Sequence, residues 1–239
     1  MRLSKHLGLL TVAIAVCTST ASAADKVSVG WFHALAIQDG TLYTWGANFA
    51  GQLGDGTYVD RDVPVVITLP GVGDVTAVAA GGIHSLAVQG GVLYAWGHGG
   101  AGQLGLGYVG YHNVPMYVME GVTAIAAGDN ASVAVKGGGV WAFGDGFGLT
   151  PVQVFDEILM NIVDVAIFGA SFYALGEDGN LWAWGDMAET WRAEPMLMGT
   201  GYTSIGNFGL AGRGGTVPEP ASLGVLAVGA VGLMLRRKR

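Results

Sequence analysis

The feature that most limits how this chain can fold is an internal repeat. A shift of 51 positions superposes residues 30–64 on 81–115 without a gap. Gly30 falls on Gly81, His33 on His84, Leu35 on Leu86 and Ala36 on Ala87, and Leu42-Tyr43-x-Trp45-Gly46 on Leu93-Tyr94-x-Trp96-Gly97. Gly51-Gln52-Leu53-Gly54 falls on Gly102-Gln103-Leu104-Gly105, Gly56 on Gly107, and Val63-Pro64 on Val114-Pro115. A third copy keeps Ile125–Gly128, Ser132–Val135 and Val140–Gly144 but lacks the Gly-Gln-Leu-Gly loop. A fourth runs through Ile162–Ile167, Ala174-Leu175, Asp178–Gly185 and Pro195, and a fifth begins at Tyr202–Gly206 and stops. The aromatic before glycine recurs at 45, 96, 143 and 184, so the later copies are shortened. Repetition at this period marks a unit that cannot bury its apolar face alone and stacks on its neighbours.

Each copy reads as four short strands. In the second they are expected near 75–80, 84–88, 92–96 and 115–119, runs rich in Val, Ala, Leu and Tyr with glycine between them. Asp39-Gly40 and Asp178-Gly179 precede the Trp-bearing strand, and Asp-Gly is a strong hairpin signal. Gly90-Gly91 and Gly137-Gly138-Gly139 serve the same end. The 42 glycines are therefore turn punctuation, since they lack the every-third spacing of collagen. The expected fold is all-β, a β-propeller-type array of about four four-stranded blades over 24–216, forming an incomplete or small propeller.

Both ends read as addresses. In 1–23, Arg2 and Lys5 precede the short apolar run Leu7–Val16, and Ala21-Ser22-Ala23 offers a signal peptidase its small–x–small pattern, with cleavage after Ala23. A lipoprotein reading would instead place a lipid on Cys17, the one cysteine. In 217–239, Val217-Pro218-Glu219-Pro220 leads into an apolar run from Ala221 to Leu235 and a basic stop, Arg236-Arg237-Lys238-Arg239. Fifteen helical residues are short for a bilayer core, and the basic stop stays on the cytoplasmic side. A signal helix and a C-terminal apolar helix are thus expected to flank the array. Between them, five cations against 17 of the 18 acids leave the body at −12. Such a charge repels phosphate backbones, so nucleic acid is not an expected partner.

The C-terminal segment resembles the PEP-CTERM sorting signal of Gram-negative bacteria. The resemblance implies processing by an exosortase, and an association with the cell surface and its exopolysaccharide. The repeated residues resemble the regulator of chromosome condensation repeat family, with Gly-x-x-His-Ser-Leu-Ala at 81–87, Leu-Tyr-x-Trp-Gly at 93–97, Gly-Gln-Leu-Gly at 102–105 and Pro115. That family's complete propellers have seven blades. Four copies and a stub leave open a smaller ring, an open arc, a ring completed by a second chain, or a remnant.

No catalytic constellation stands out: there is no Gly-x-Ser-x-Gly elbow and no His-Glu-x-x-His helix. His33 and His84 repeat, which marks blade packing. Ala131 and Phe172 are expected at the same place in the later copies, so no histidine ring for a metal arises. Trp45, Trp96, Phe143 and Trp184 repeat and read as core anchors. Trp191-Arg192 matches nothing elsewhere and has the composition of a binding hot spot. Asp55, Asp60 and Asp62 read as a solvated loop, because no Glu closes a calcium site and the second copy has no acid there. His98 and His112 flank the second loop without a spacing that demands they meet.

These readings describe an exported repeat protein without catalytic residues, cofactor or metal. Signal peptidase and exosortase would process it, and its C-terminal helix would anchor it in the inner membrane facing the periplasm. From there it would pass to the cell surface or matrix and bind a protein or glycan. A purely structural or non-functional fragment, or an enzyme acting on polysaccharide, are the alternatives.

Overall fold

The computed structural model describes residues 26–187, 190–206 and 211–213. Four antiparallel four-stranded meanders follow one another along the chain. Blade 1 consists of β1 (Lys26–Val29), β2 (His33–Gln38), β3 (Thr41–Gly46) and β4 (Arg61–Ile67). Blade 2 comprises β5 (Val75–Ala80), β6 (His84–Gln89), β7 (Val92–His98) and β8 (Tyr111–Glu120). Blade 3 comprises β9 (Val122–Ala127), β10 (Ala131–Lys136), β11 (Gly139–Gly144) and β12 (Gly148–Val154), and blade 4 β13 (Ile162–Phe168), β14 (Ser171–Gly176), β15 (Leu181–Met187) and β16 (Thr190–Gly199). A short hairpin of β17 (Tyr202–Ile205) and β18 (Ala211–Arg213) begins a fifth unit. The propeller-type array expected from the repeats is therefore present. The signal helix and the C-terminal helix fall outside the described residues.

Local chemistry explains the meanders. The turn between β2 and β3 is Asp39-Gly40, both at positive φ (49° and 72°), the backbone that a two-residue hairpin needs for its twist. In every blade the ladder between the third and fourth strands slips at the aromatic, between Thr44 and Gly46, Ala95 and Gly97, Ala142 and Gly144, and Ala183 and Gly185. Pairing resumes beyond the slip, which is why β8 begins at Tyr111, four residues before the expected start.

The innermost strands β1, β5, β9 and β13 lie side by side in turn, so blades 2 and 3 each pack one face on the blade before and the other on the blade after. The second strand of each blade shows how. In β6, Ser85 and Ala87 face blade 1 while Leu86 and Val88 face blade 3. Small residues on the upstream face and large ones on the downstream face of β2, β6 and β10 let the first three sheets interdigitate. Leu35, Ile37, Leu42 and Ile67 of blade 1 close on Ala87, Tyr94 and Trp96 of blade 2. Leu86, Val88 and Leu93 close on Ala134 and Phe143 of blade 3, and Val133, Val135 and Val140 on Phe172, Ala174 and Trp184 of blade 4. Each fully buried Leu or Val contributes roughly 1.5–3 kcal/mol. Among the described residues, at the two ends of the array β1 pairs only with β2 and β17 only with β18, so these strands share no sheet there.

Candidate binding surface

The antiparallel connectivity puts the β1–β2, β3–β4 and equivalent loops at one end of the blades. The Gly-Gln-Leu-Gly segment of the β3–β4 loop is not part of an open surface. Gln52 and Leu53 are fully buried, and Leu53 is held from both sides. Its N–H donates to Asn48 Oδ1 (3.0 Å), and its carbonyl accepts from Thr44 Oγ1 (2.8 Å). The fold of this loop aims the Gln52 carbonyl at blade 2, where it accepts from Ser85 Oγ (2.7 Å) and Trp96 Nε1 (2.9 Å). Because the Ser85 proton is used in that bond, His33 Nε2 must donate to Ser85 Oγ (2.9 Å). The arrangement repeats one blade on: Ser132 Oγ donates to the Gln103 carbonyl (2.8 Å) and accepts from His84 Nε2 (2.9 Å). Burial lowers the pKa of His33 to about 4 and that of His84 to about 3, so both rings are neutral. Gly30 and Gly81 are needed beside them, since a Cβ at either would collide with the histidine ring. His33 and His84 are thus inter-blade staples.

At the third interface the staple is absent as a unit. The ladder pairs Ser171 with Gly185 as it pairs His33 with Gly46 and His84 with Gly97. The residue equivalent to the histidines is therefore Ser171, not Phe172. Phe172 occupies the serine position opposite Ala131. It meets Phe147 edge-on (5.3 Å, 89°) and stacks on Trp184 (5.5 Å, 14°). No loop carbonyl reaches Trp184, whose buried Nε1 has no partner.

The Asp55 loop is more ordered than a solvated segment. Asp55 accepts from Thr57 N (2.9 Å), Thr57 Oγ1 (2.7 Å), Asn48 Nδ2 (3.1 Å) and Arg61 Nε (2.7 Å). Burial alone would raise its pKa, but the Thr57 and Arg61 interactions outweigh that and hold it below the usual value. Asp60 receives the Asn48 N–H (2.7 Å), while Asp62 is exposed. These bonds build the loop, and among the described residues no group of three or more His, Cys, Asp or Glu is placed to hold a metal. His98 packs on Tyr111 (5.0 Å) and His112 on Tyr108 (5.6 Å).

The recurring aromatics Trp45, Trp96, Phe143 and Trp184 are all core residues. Trp191 is 65% exposed on β16, and Arg192 beside it is exposed and opposite Gly185. Ala21, Ala23, Val217, Pro218, Glu219, Pro220, Arg236, Arg237, Lys238 and Arg239 lie outside the described residues. Sequence reasoning missed a second exposed aromatic group, Trp31, Phe32 and Phe49 in the loops of blade 1. The signal was there: Trp31 and Phe32 stand where the second copy has Gly82 and Ile83, and a large aromatic that does not repeat is not needed for packing.

Comparison with known proteins agrees with this geometry. Models of the regulator of chromosome condensation (RCC1) repeat match residues 24–52, 39–88 and 90–135. The PEP-CTERM protein-sorting motif matches 216–239. The chain is similar to the ultraviolet-B receptor UVR8 of Arabidopsis thaliana, 40% identical over 96 residues that cover 39% of this chain and 22% of the receptor. It is also similar to the mitochondrial RCC1 domain-containing protein RUG3 of the same plant, 36% identical over 175 residues, 72% of this chain and 31% of RUG3. Among solved structures, Prp20p from Saccharomyces cerevisiae superposes with a TM-score of 0.63 at 21% identity, over 75% of this chain and 52% of Prp20p. The chain thus spans less than a third of these curated relatives and about half of Prp20p.

Proposed function

The chain is a regulator of chromosome condensation (RCC1) repeat protein that ends in a PEP-CTERM protein-sorting motif, and from this premise we propose that it is an exported binding module of the bacterial envelope. In this reading signal peptidase removes 1–23 after Ala23, and the segment 217–239 holds the chain in the inner membrane for an exosortase. The body 24–216 faces the periplasm and is then delivered to the cell surface or exopolysaccharide matrix, where it holds a protein or glycan. The observation that carries the proposal is the sorting motif joined directly to an array whose blade-end loops present aromatic side chains. Repeat scaffolds use such loops for recognition. Prp20p, a relative in fold, is described with binding properties to Gsp1p and histones, which supports protein binding as a class and no particular target. The proposed work is binding rather than catalysis, with no cofactor.

Replacing Pro218, Glu219 and Pro220 together with Ala tests the sorting half of the proposal. The variant should accumulate unprocessed in the inner membrane; unchanged size and location would sink it. A purely structural role is the second reading, favoured by an exposed surface on which no catalytic or metal-holding group is placed among the described residues. Cooperative unfolding and a defined mass in solution support the binding module, whereas a molten chain counts against it.

A further inference from the structure

Trp31 is exposed, yet it is held in place by two other blades. Its backbone N–H donates to the Gly82 carbonyl of blade 2 (3.2 Å), and its Nε1 donates to Asp129 Oδ1 of blade 3 (3.1 Å). Gly82 makes room for this, since a Cβ there would stand 3.3 Å from the indole Cε2 and 3.0 Å from the Asp129 carbonyl. The ring is 58% exposed, and Phe32 (56%) and Phe49 (58%) extend it as a chain of edge-on contacts at 6.4 and 6.3 Å. With its N–H already occupied, the indole offers a partner its π face. That face is electron-rich, and a carboxylate stands beside it.

The surroundings select the sign of the partner. The loops at this end of blades 1 to 3 contain Asp55, Asp60, Asp129 and Asp145 and neither Lys nor Arg. Arg61, which opens β4, is already paired with Asp55 (2.6 Å). An anionic ligand would meet uncompensated carboxylates, whereas a cation finds both an aromatic face and a counter-charge.

We propose that Trp31, Phe32 and Phe49 form a docking shelf for a basic segment of a protein partner, with an Arg or Lys side chain lying over the indole and Asp129 balancing its charge. This deepens the binding-module reading and rests on it, naming the surface and the chemistry of the partner.

The test is a calorimetric titration of the full exported chain with a (Gly-Arg)4 peptide, with (Gly-Glu)4 and cellohexaose as controls. The basic peptide should bind, and its affinity should fall about tenfold as ionic strength rises from about 0.02 to 0.2 M, as screening requires. Trp31→Ala should lower affinity at least about tenfold and Trp31→Phe less, following the strength of cation–π pairing. Asp129→Asn should lower it several-fold. Trp31 is exposed, so Trp31→Ala should melt with the parent; if it does not, Phe49→Ala gives the same readout. Peptide binding unaltered by Trp31→Ala and Phe49→Ala overturns the shelf but leaves a binding module whose surface lies elsewhere. Cellohexaose binding through Trp31 in place of the peptide overturns the basic partner. If neither ligand binds, the shelf is wrong, while the broader reading is still decided by the sorting variant and the solution mass.

Discussion

The first two blade interfaces and the third solve the same packing problem by different chemistry. Between blades 1 and 2, and again between 2 and 3, a loop carbonyl, a serine and a histidine form a buried polar staple within an apolar seam. Between blades 3 and 4 the loop, the histidine and the serine are all missing, and Phe147, Phe155, Phe172 and Trp184 fill the space. The staple is absent as a set because its parts are interdependent. A histidine without its serine would bury a second unmet nitrogen, and a serine without the loop carbonyl would bury an unmet hydroxyl. The aromatic interface has the indole of the first stapled interface without its acceptor, which leaves Trp184 Nε1 orphaned.

This contrast can be broken most forcefully with acid. His33 and His84 titrate ordinarily at 6.5 when unfolded but at about 4 and about 3 when buried. Between those values the unfolded chain binds more protons than the folded one. Stability is therefore complete above pH 6.5 and is lost as pH falls toward 4. The loss over that window should be on the order of 5 kcal/mol for the pair. Urea midpoints against pH measure it, and His33→Ala with His84→Ala should flatten the slope. An unchanged slope would mean that the histidines are not the sensors. Asp55, whose pKa is lowered, acts separately and below 3.8.

Glycine replacement gives the next largest effect. Gly81→Ala drives a methyl into the His84 ring and should cost about 3 kcal/mol or more, by analogy with overpacked cores. The equivalent Gly128→Ala at the aromatic interface meets Ile167 Cγ2 at 2.7 Å, a methyl on the β-carbon of a buried residue with a stiff χ1, and should cost about 1–2 kcal/mol, less than the closer clash at Gly81. Thermal denaturation of the two variants checks the order, and equal losses would mean that the two interfaces tolerate overpacking alike.

The smallest effect carries the sharpest sign. Trp96→Phe removes the bond to the Gln52 carbonyl and should cost about 1–2 kcal/mol, whereas Trp184→Phe removes an unmet donor and should be neutral or stabilising by up to about 1 kcal/mol. Phe143 already shows that the position accepts phenylalanine. Denaturant midpoints that fall equally for both would show that Trp184 has a partner after all.

The fold was legible because blade packing is repetitive, and repetition survives in the sequence. Trp45, Trp96, Phe143 and Trp184 could be placed in the core without coordinates. From His33 to Trp45, and from His84 to Trp96, is 12 residues, but the connection from β14 to β15 is one residue longer: Leu175 faces Leu181, whereas Ile37 faces Leu42. Counting back from Trp184 therefore lands on Phe172 rather than Ser171. A turn absorbs an insertion without disturbing the ladder, so spacing alone could not reveal it. The aromatics of the Trp31 shelf stood out as residues that do not repeat, but their anchoring could not be read for the opposite reason. It depends on residues 98 positions apart, Trp31 and Asp129, which only the stacking of three blades brings together.

The two-faced blade also has a grammar. Blade 2 alone carries both halves of the staple: Ser85 and Trp96 as the socket, His84 and the Gln103 loop as the plug. Blade 1 has the plug but Ala34 where the socket serine would be, and blade 3 has the socket serine, with Phe143 in place of the tryptophan, but Ala131 where the plug histidine would be. A duplicated blade 2 would therefore join itself, and could be inserted any number of times between its neighbours. A duplicated blade 1 or blade 3 would face its own copy with half a joint.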